Sequence, residues 1–283
     1  MFFKSLKMEL YRLGKSPMLY FSVLVGIVIS VWLFIVQLQD LHKHQELTAL
    51  YGTVKEGLYY PESLYNHFIG LDHENGQPQI LYTLFPILSS LPFSASYCID
   101  RKTGYIQNVV TRVPLGAYQR AKLAVTFFSG FIVTFTVLIF SLVLTATAFP
   151  ALPPETITNY FMAAYEDCMM QKLFLSYPLL YTIIYILIDS CYMGLVALLS
   201  LCIGIFVSQP YISITSGTIL YYAVSFLLFA LPLYTKNPYV FLLPKQPFGG
   251  ISMIVIVGEF LIVLIFGLTA FRIKEGKKDV LSI

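Results

Sequence analysis

The feature that most constrains this chain is a series of long stretches without a charged residue. No charged residue lies between Lys15 and Asp40, between Glu74 and Asp100, or between Lys122 and Glu155. A helix needs about 20 mostly apolar residues to cross the roughly 30 Å of hydrocarbon in a bilayer. The composition agrees, because 57% of the residues are hydrophobic and only 12% are charged. A soluble domain of this size cannot bury that much apolar surface, so a membrane must cover it.

The apolar stretches predict an all-α polytopic membrane protein with a single transmembrane domain over residues 1–283. The stretch 176–231 is too long for one helix, and Ser208-Gln209-Pro210 interrupts it, because proline disfavours helix in the residue before it. Six spans result, near residues 18–38, 80–98, 122–149, 177–207, 211–231 and 249–271.

The distribution of lysine and arginine predicts the orientation of these spans. With six spans, the N-terminus, the 99–122 loop, the turn at 208–210 and the C-terminal tail lie on one side. Those segments hold most of the 18 basic residues. Because basic residues favour the cytoplasmic side, we expect both termini in the cytoplasm.

Two segments outside the spans have a recognisable organisation. Residues 2–14 predict an amphipathic helix on the inner membrane surface. Its apolar stripe would consist of Phe2, Phe3, Leu6, Leu10 and Leu13, with Lys4, Lys7 and Arg12 elsewhere on the helix. The 39–79 loop is polar and long, which favours a small cap on the opposite, extracytoplasmic side.

The sequence offers no catalytic residue and no cofactor site of its own. Gly14-Lys15-Ser16 resembles the end of a phosphate-binding loop, but Glu9 stands where that motif requires glycine. The net charge of +3 is too small to indicate a nucleic-acid partner. A metal site is a minor alternative, based on the four histidines of the 39–79 loop, His42, His44, His67 and His73.

Two carboxylates lie inside predicted spans. They are Asp189 and Glu259. A charge in hydrocarbon costs about 2.5–3.5 kcal/mol even on the most lenient scale, so such residues usually face a protein interior or an aqueous path. One interpretation is a translocation path or a proton relay. The other is a purely structural role, in which each carboxyl is protonated or hydrogen-bonded to a neighbouring helix.

The segment from Cys98 to Ala124 is the most informative part of the chain. Gly104 permits a turn, residues 105–111 can form two helical turns, and Pro114 suits the boundary before the next span. On this short helix the apolar side would hold Tyr105, Ile106, Val109 and Val113, and the polar side Gln107, Asn108, Thr111 and Arg112. Such a helix could lie in a groove of a soluble partner. An inner loop anchored by lipid headgroups is the alternative.

These motifs together resemble the membrane permeases of type-2 ATP-binding-cassette exporters, particularly small bacterial ones that export antibiotics or peptides. The similarity begins with Glu9-Leu10-Tyr11-Arg12 and Lys15-Ser16-Pro17 directly before the first span. It continues with an acid, a glycine four residues on, a short helix, a basic residue, a proline and a lysine that opens a span. In this chain they are Asp100, Gly104, residues 105–111, Arg112, Pro114 and Lys122.

The resemblance implies a mechanism and a set of partners. Two permease chains, either identical or related, would associate with two separate ATPase subunits that bind ATP and magnesium, in a bacterial cytoplasmic membrane. ATPase coupling would involve Asp100, Gly104, Tyr105, Ile106, Val109, Arg112 and Pro114. The interfacial helix would act through Leu6, Glu9, Leu10 and Arg12. The cargo would be amphiphilic, such as a peptide toxin, a bacteriocin or an antibiotic, which connects the chain with antimicrobial resistance.

Other functions remain open at this point. A proton- or ion-coupled secondary transporter would use Asp189 and Glu259 and would need no ATPase. A membrane enzyme is less favoured, because the two carboxylates are isolated and no metal motif accompanies them. A non-transporting immunity or sensor component is the fourth class.

Overall fold

The computed structural model describes residues 2–51, 63–68, 77–154, 167–246 and 249–275. All regular structure in these ranges is helical, as the sequence predicted. In chain order the α-helices are α1 (Phe2–Gly14), α2 (Pro17–Tyr51), α3 (Leu64–His67), α4 (Gln77–Ser90), α5 (Ser96–Lys102), α6 (Tyr105–Val110), α7 (Leu115–Ala146), α8 (Gln171–Ser176), α9 (Pro178–Gly204), α10 (Pro210–Ala230), α11 (Pro238–Phe241) and α12 (Met253–Glu275). Most of the predicted external cap and the end of the basic C-terminal tail lie outside the described residues.

Four of these helices are long and apolar enough to cross a membrane. They comprise Pro17–Lys43, Leu115–Ala146, Pro178–Gly204 and Pro210–Ala230. Two further apolar helices are shorter, Gln79–Ser90 and Met253–Thr269. The chain is therefore a multi-pass membrane protein in its architecture.

Helix α9 forms the centre of the bundle. Of its most apolar stretch, 83% of the residues are buried, against 22% in α2 and in α10. Small residues let the neighbouring helices approach closely, as is common between membrane helices. A Cβ atom placed on Gly130 of α7 would lie 2.9 Å from the Cβ of Ala197 in α9. Three residues further along α9, the Ser200 hydroxyl accepts a hydrogen bond of 3.1 Å from the backbone N–H of Gly217 in α10.

The second predicted span, residues 80–98, is interrupted rather than continuous. Helix α4 ends at Ser90 and α5 begins at Ser96, with a turn between them. Pro92 lies in this turn, and proline both lacks an N–H donor and disfavours helix in the residue before it. The hydroxyl of Ser94 in the turn donates to the backbone oxygen of Ala197 at 3.0 Å, which holds the break against α9.

Several segments that are distant in sequence meet at one end of the bundle, here called the charged end. It comprises α1, α5, α6, the start of α7 and the turn at residues 205–209. Arg101 in α5 connects to that turn, because its guanidinium donates to the backbone oxygens of Ile205 at 2.9 Å and Val207 at 3.1 Å. The opposite end, here called the distal end, holds α3, α8 and α11. There the Tyr181 hydroxyl donates to the backbone oxygen of Pro244 at 2.6 Å.

Candidate functional site

The candidate site begins with the face of α1 that packs along α7. Ser5, Glu9 and Leu13 are the buried residues of α1, and their spacing of four residues places them on one side of the helix. Glu9 is completely buried. A buried carboxylate is strongly unfavourable unless a cation and hydrogen bonds compensate it, so its surroundings determine how α1 is held.

Two bases and a second acid surround Glu9. The ammonium group of Lys122 in α7 lies 2.6 Å from a Glu9 carboxylate oxygen and 2.6 Å from an Asp100 carboxylate oxygen. The guanidinium of Arg12 lies 2.6 Å from the other Asp100 oxygen and 3.0 Å from Glu9. Glu9, Arg12, Asp100 and Lys122 form the four-charge cluster, in which two negative and two positive charges balance.

Aromatic side chains enclose the four-charge cluster. The Tyr118 hydroxyl donates a hydrogen bond to Asp100. The Lys122 ammonium lies 4.7 Å from the ring centre of Phe93, and the Arg12 guanidinium lies 4.5 Å from that of Tyr105. Rings at these distances attract cations through their negative faces, most strongly where water is excluded. Tyr105 therefore connects the cluster directly to α6.

The ionisation of the cluster follows from these contacts. Burial by itself would raise the pKa of the Asp100 carboxyl, but hydrogen bonds from Arg12, Lys122 and Tyr118, together with the positive charge of Lys122, hold that pKa below its ordinary value. Burial by itself would lower the pKa of Arg12, yet the hydrogen bond to Asp100 and the charges of Glu9 and Asp100 raise it. Both groups are consequently charged at neutral pH.

Helix α6 is anchored by its apolar side and exposes its polar side. Gly104 enters it with a φ of 69°, a left-handed conformation that favours glycine. Ile106, Val109 and Val113 are buried, and they pack in a cluster with Tyr97, Tyr118, Leu198, Leu201, Cys202 and Ile205. The exposed side holds Gln107, Asn108, Thr111 and Arg112, and Pro114 follows as the residue before α7.

The apolar side of α6 packs inside the chain itself. Val109 is 7% exposed and Ile106 only 4%. The reason lies in the tertiary structure, because Leu198 and Leu201 at the charged end of α9 pack against these side chains. The surface of α6 that is available to a partner is therefore polar.

The interfacial residues of α1 also divide between two environments. Leu6 packs in part against a small cluster of Leu13, Phe93 and Val125. Leu10 and Phe3 stay exposed, at 41% and 80%. The side of α1 that faces the bundle is thus formed by Ser5, Glu9 and Leu13, whereas Phe3 and Leu10 of the predicted apolar stripe lie outside it.

The two intramembrane carboxylates lie apart from the four-charge cluster, and each is paired with a tyrosine. The Tyr82 hydroxyl of α4 donates to Asp189 at 2.8 Å. The Tyr192 hydroxyl of α9 donates to Glu259 of α12 at 3.3 Å. Of the histidines in the 39–79 loop, His67 stacks on Phe149 with ring centres 4.1 Å apart.

Comparisons with known proteins do not assign this chain to a family. The sequence matches no protein-family model, and searches of curated proteins and of solved structures find no match either.

Sequence reasoning missed several partners in these sites. It noted Lys122 only as the residue that opens a span, and it assigned no role to Tyr118, Tyr82 or Tyr192. A signal was present for Lys122, because a lysine at the edge of an apolar span needs a counter-charge when it is buried. No comparable signal distinguishes these three tyrosines among the 21 in the chain.

Proposed function

We propose that this chain is the transmembrane subunit of an ATP-driven exporter of the ATP-binding-cassette type, with α6 as the element that contacts separate ATPase subunits. The observation that supports this best is the four-charge cluster, which joins α1, α5 and α7 directly behind α6. A loop that only connects two spans needs no such anchorage.

The contacts of α6 suit the transmission of movement. Its polar side is exposed and would bind a soluble subunit, while Val109 on its buried side packs with Leu201 of the central helix α9. Tyr105 adds a contact to Arg12 of the cluster. A close-packed interior transmits displacement, so a shift of α6 would move α9 and α7 together. ATP would bias the transport cycle only through different docking of the ATPases in their ATP and ADP states.

The topology that we propose has six crossings. The interrupted pair α4 and α5 would complete one crossing together, and α12 would supply the last. The charged end would face the cytoplasm, because it holds Lys4, Lys7, Arg101, Lys102, Arg112 and Arg120. Both termini would then be cytoplasmic, in a bacterial plasma membrane.

The assembly would contain two permease chains, identical or related, and two ATPase subunits that bind ATP and magnesium. This chain would bind neither. The cargo would be amphiphilic, such as a peptide toxin, a bacteriocin or an antibiotic, and its export would protect the cell.

The test is a pull-down of the full chain from its native host in mild detergent, with mass spectrometry of the co-purifying proteins. We expect a stoichiometric soluble subunit with a phosphate-binding loop. The variant Arg112→Glu on the exposed side of α6 should lose this subunit, whereas Lys172→Glu, an exposed charge reversal at the distal end, should retain it. Absence of any such ATPase, under conditions that keep known complexes intact, would overturn the proposal.

A proton- or ion-coupled secondary transporter is the second candidate, and the Asp189–Tyr82 pair favours it. A buried carboxyl that is hydrogen-bonded to a neutral hydroxyl can exchange a proton without breaking an ion pair. Such a transporter would work with a pH gradient alone, and Asp189→Asn would abolish that transport. Gradient-driven flux in vesicles that contain only this chain would support this candidate over the exporter.

A further inference from the structure

The predicted membrane spans contain two charged residues away from their ends, and both are acidic. They are Asp189 and Glu259. Asp189 lies 11 residues after the start of α9 and 15 before its end, or about 16 Å and about 22 Å along the helix axis. Tyr192, the partner of Glu259, lies about 4.5 Å further along the same axis. The two carboxyls thus lie at a similar level of the bundle, close to the middle of the predicted spans.

Among the described residues, one carboxyl oxygen of Asp189 has no hydrogen-bond partner. The residue is 1% exposed, and its Oδ2 accepts the hydrogen bond from Tyr82. Its Oδ1 is buried and accepts no hydrogen bond within the part of the chain that the structure describes. No salt bridge to Asp189 occurs among those residues either. A buried carboxylate without a counter-charge is strongly unfavourable, and a positively charged ligand would compensate its charge.

Aromatic rings surround this level of the bundle. Tyr185 lies one helical turn before Asp189 on α9, and Tyr82 faces it from α4. The ring centre of Tyr192 is 6.2 Å from that of Tyr221 in α10 and 5.5 Å from that of Phe260 in α12. Four helices therefore contribute aromatic side chains to one layer. Ring faces attract organic cations, and they do so most strongly in a desolvated site.

We propose that the carboxyl–tyrosine layer, formed by Tyr82, Tyr185, Asp189, Tyr192, Tyr221 and Glu259, binds the positively charged group of the cargo. The cargo class is an amphiphilic organic cation, and this assignment rests on the proposed exporter function. A proton would also neutralise the carboxyls. The rings favour the organic cation, because aromatic faces recognise a large, weakly hydrated charge and contribute nothing to a proton on a carboxyl oxygen.

Binding of a permanent cation to the purified full chain, without any ATPase, tests this assignment. The probe is radiolabelled tetraphenylphosphonium, measured by equilibrium dialysis in detergent. We expect saturable binding that unlabelled probe displaces and that neutral triphenylphosphine oxide displaces at least tenfold less well. Asp189→Asn should weaken binding at least tenfold and Glu259→Gln severalfold. Asp167→Asn, an exposed carboxyl at the distal end, should bind like the unchanged protein.

Three results would overturn the proposal. They are the absence of saturable binding, equal affinity of the unchanged protein and Asp189→Asn, and equal displacement by the neutral compound. If Asp189→Asn aggregates on gel filtration, Glu259→Gln and the neutral competitor decide the question. A failure here is separable from a failure of the exporter proposal, since Asp189→Asn should still co-purify the ATPase through α6.

Discussion

The ammonium group of Lys122 lies 2.6 Å from the carboxylate of Glu9, and neither side chain is exposed. The two residues are 113 positions apart in the sequence. Their ion pair fixes the first helix of the chain to the start of α7. Asp100 shares the same lysine at 2.6 Å, so the end of α5 is tied to the same point.

Removal of Lys122 should destabilise the protein strongly. Lys122→Met leaves Glu9 and Asp100 with Arg12 as the remaining cation of the cluster. Loss of one partner from a buried ion pair typically costs about 3–5 kcal/mol. We expect a loss of this size in the free energy of unfolding, measured by denaturant titration in detergent.

A double substitution tests whether the loss comes from the unpaired charge. Glu9→Gln together with Lys122→Met should recover at least about 1 kcal/mol relative to the sum of the single variants, because residues in contact are coupled. Lys15→Met, an exposed lysine of the same region, should change stability by less than about 0.5 kcal/mol. Strict additivity of the two cluster variants would show that Glu9 and Lys122 do not interact.

Because α6 buries one side and exposes the other, substitutions at neighbouring positions should differ sharply in their effect on stability. Val109→Asp buries a charge among Tyr118, Leu198 and Leu201, and should cost at least about 3 kcal/mol in the free energy of unfolding. Asn108→Asp on the exposed side should cost less than about 0.5 kcal/mol. Thermal unfolding in nanodiscs compares the two. A similar small effect of both substitutions would mean that α6 does not pack on α9.

A methyl group between α7 and α9 should separate these helices. In Gly130→Ala the new Cβ would lie 2.9 Å from the Ala197 Cβ and 2.9 Å from the Met193 backbone oxygen, so backbone must shift. Overpacking of this kind costs about 1–3 kcal/mol. The matched control is Gly258→Ala in α12, where no atom lies within 4 Å and helix propensity favours alanine by about 1 kcal/mol. Opposite changes in melting temperature are expected, and equal changes would contradict the close approach of α7 and α9.

The lowered pKa of Asp100 predicts how stability depends on pH. The unfolded carboxyl, with its ordinary pKa of about 3.9, binds protons at a higher pH than the folded one. Asp100 therefore stabilises the fold fully above the ordinary value, and this contribution disappears as the pH falls towards the lowered pKa. We expect the melting temperature to fall steeply below about pH 4.

The control for this pH dependence is Asp100→Asn. That variant should melt at a lower temperature near neutral pH, and the remaining dependence between about pH 5 and pH 3 should be shallower. An unchanged slope in the variant would assign the acid sensitivity to other carboxyls.

Much of the architecture follows from local sequence. The uncharged stretches after Lys15 and Lys122 predicted helices of membrane-spanning length, and α2 and α7 have that character because apolar composition alone decides it. The interruption between Ser90 and Ser96 was missed, although Pro92 is visible in the sequence. One proline near the end of an apolar stretch does not show whether the helix kinks, stops or continues.

The sequence by itself determined that this chain is helical and membrane-embedded, and it singled out Glu9, Arg12 and Asp100 by their type and position. Only the tertiary structure decided that these three meet Lys122 in one buried cluster, and that Tyr82 and Tyr192 bind the two intramembrane carboxyls. The physical reason is the range of the forces involved. The apolar character of a helix is visible in its own consecutive residues. A buried charge is instead stabilised by partners on other helices, and the packing around α9 determines how closely those helices approach.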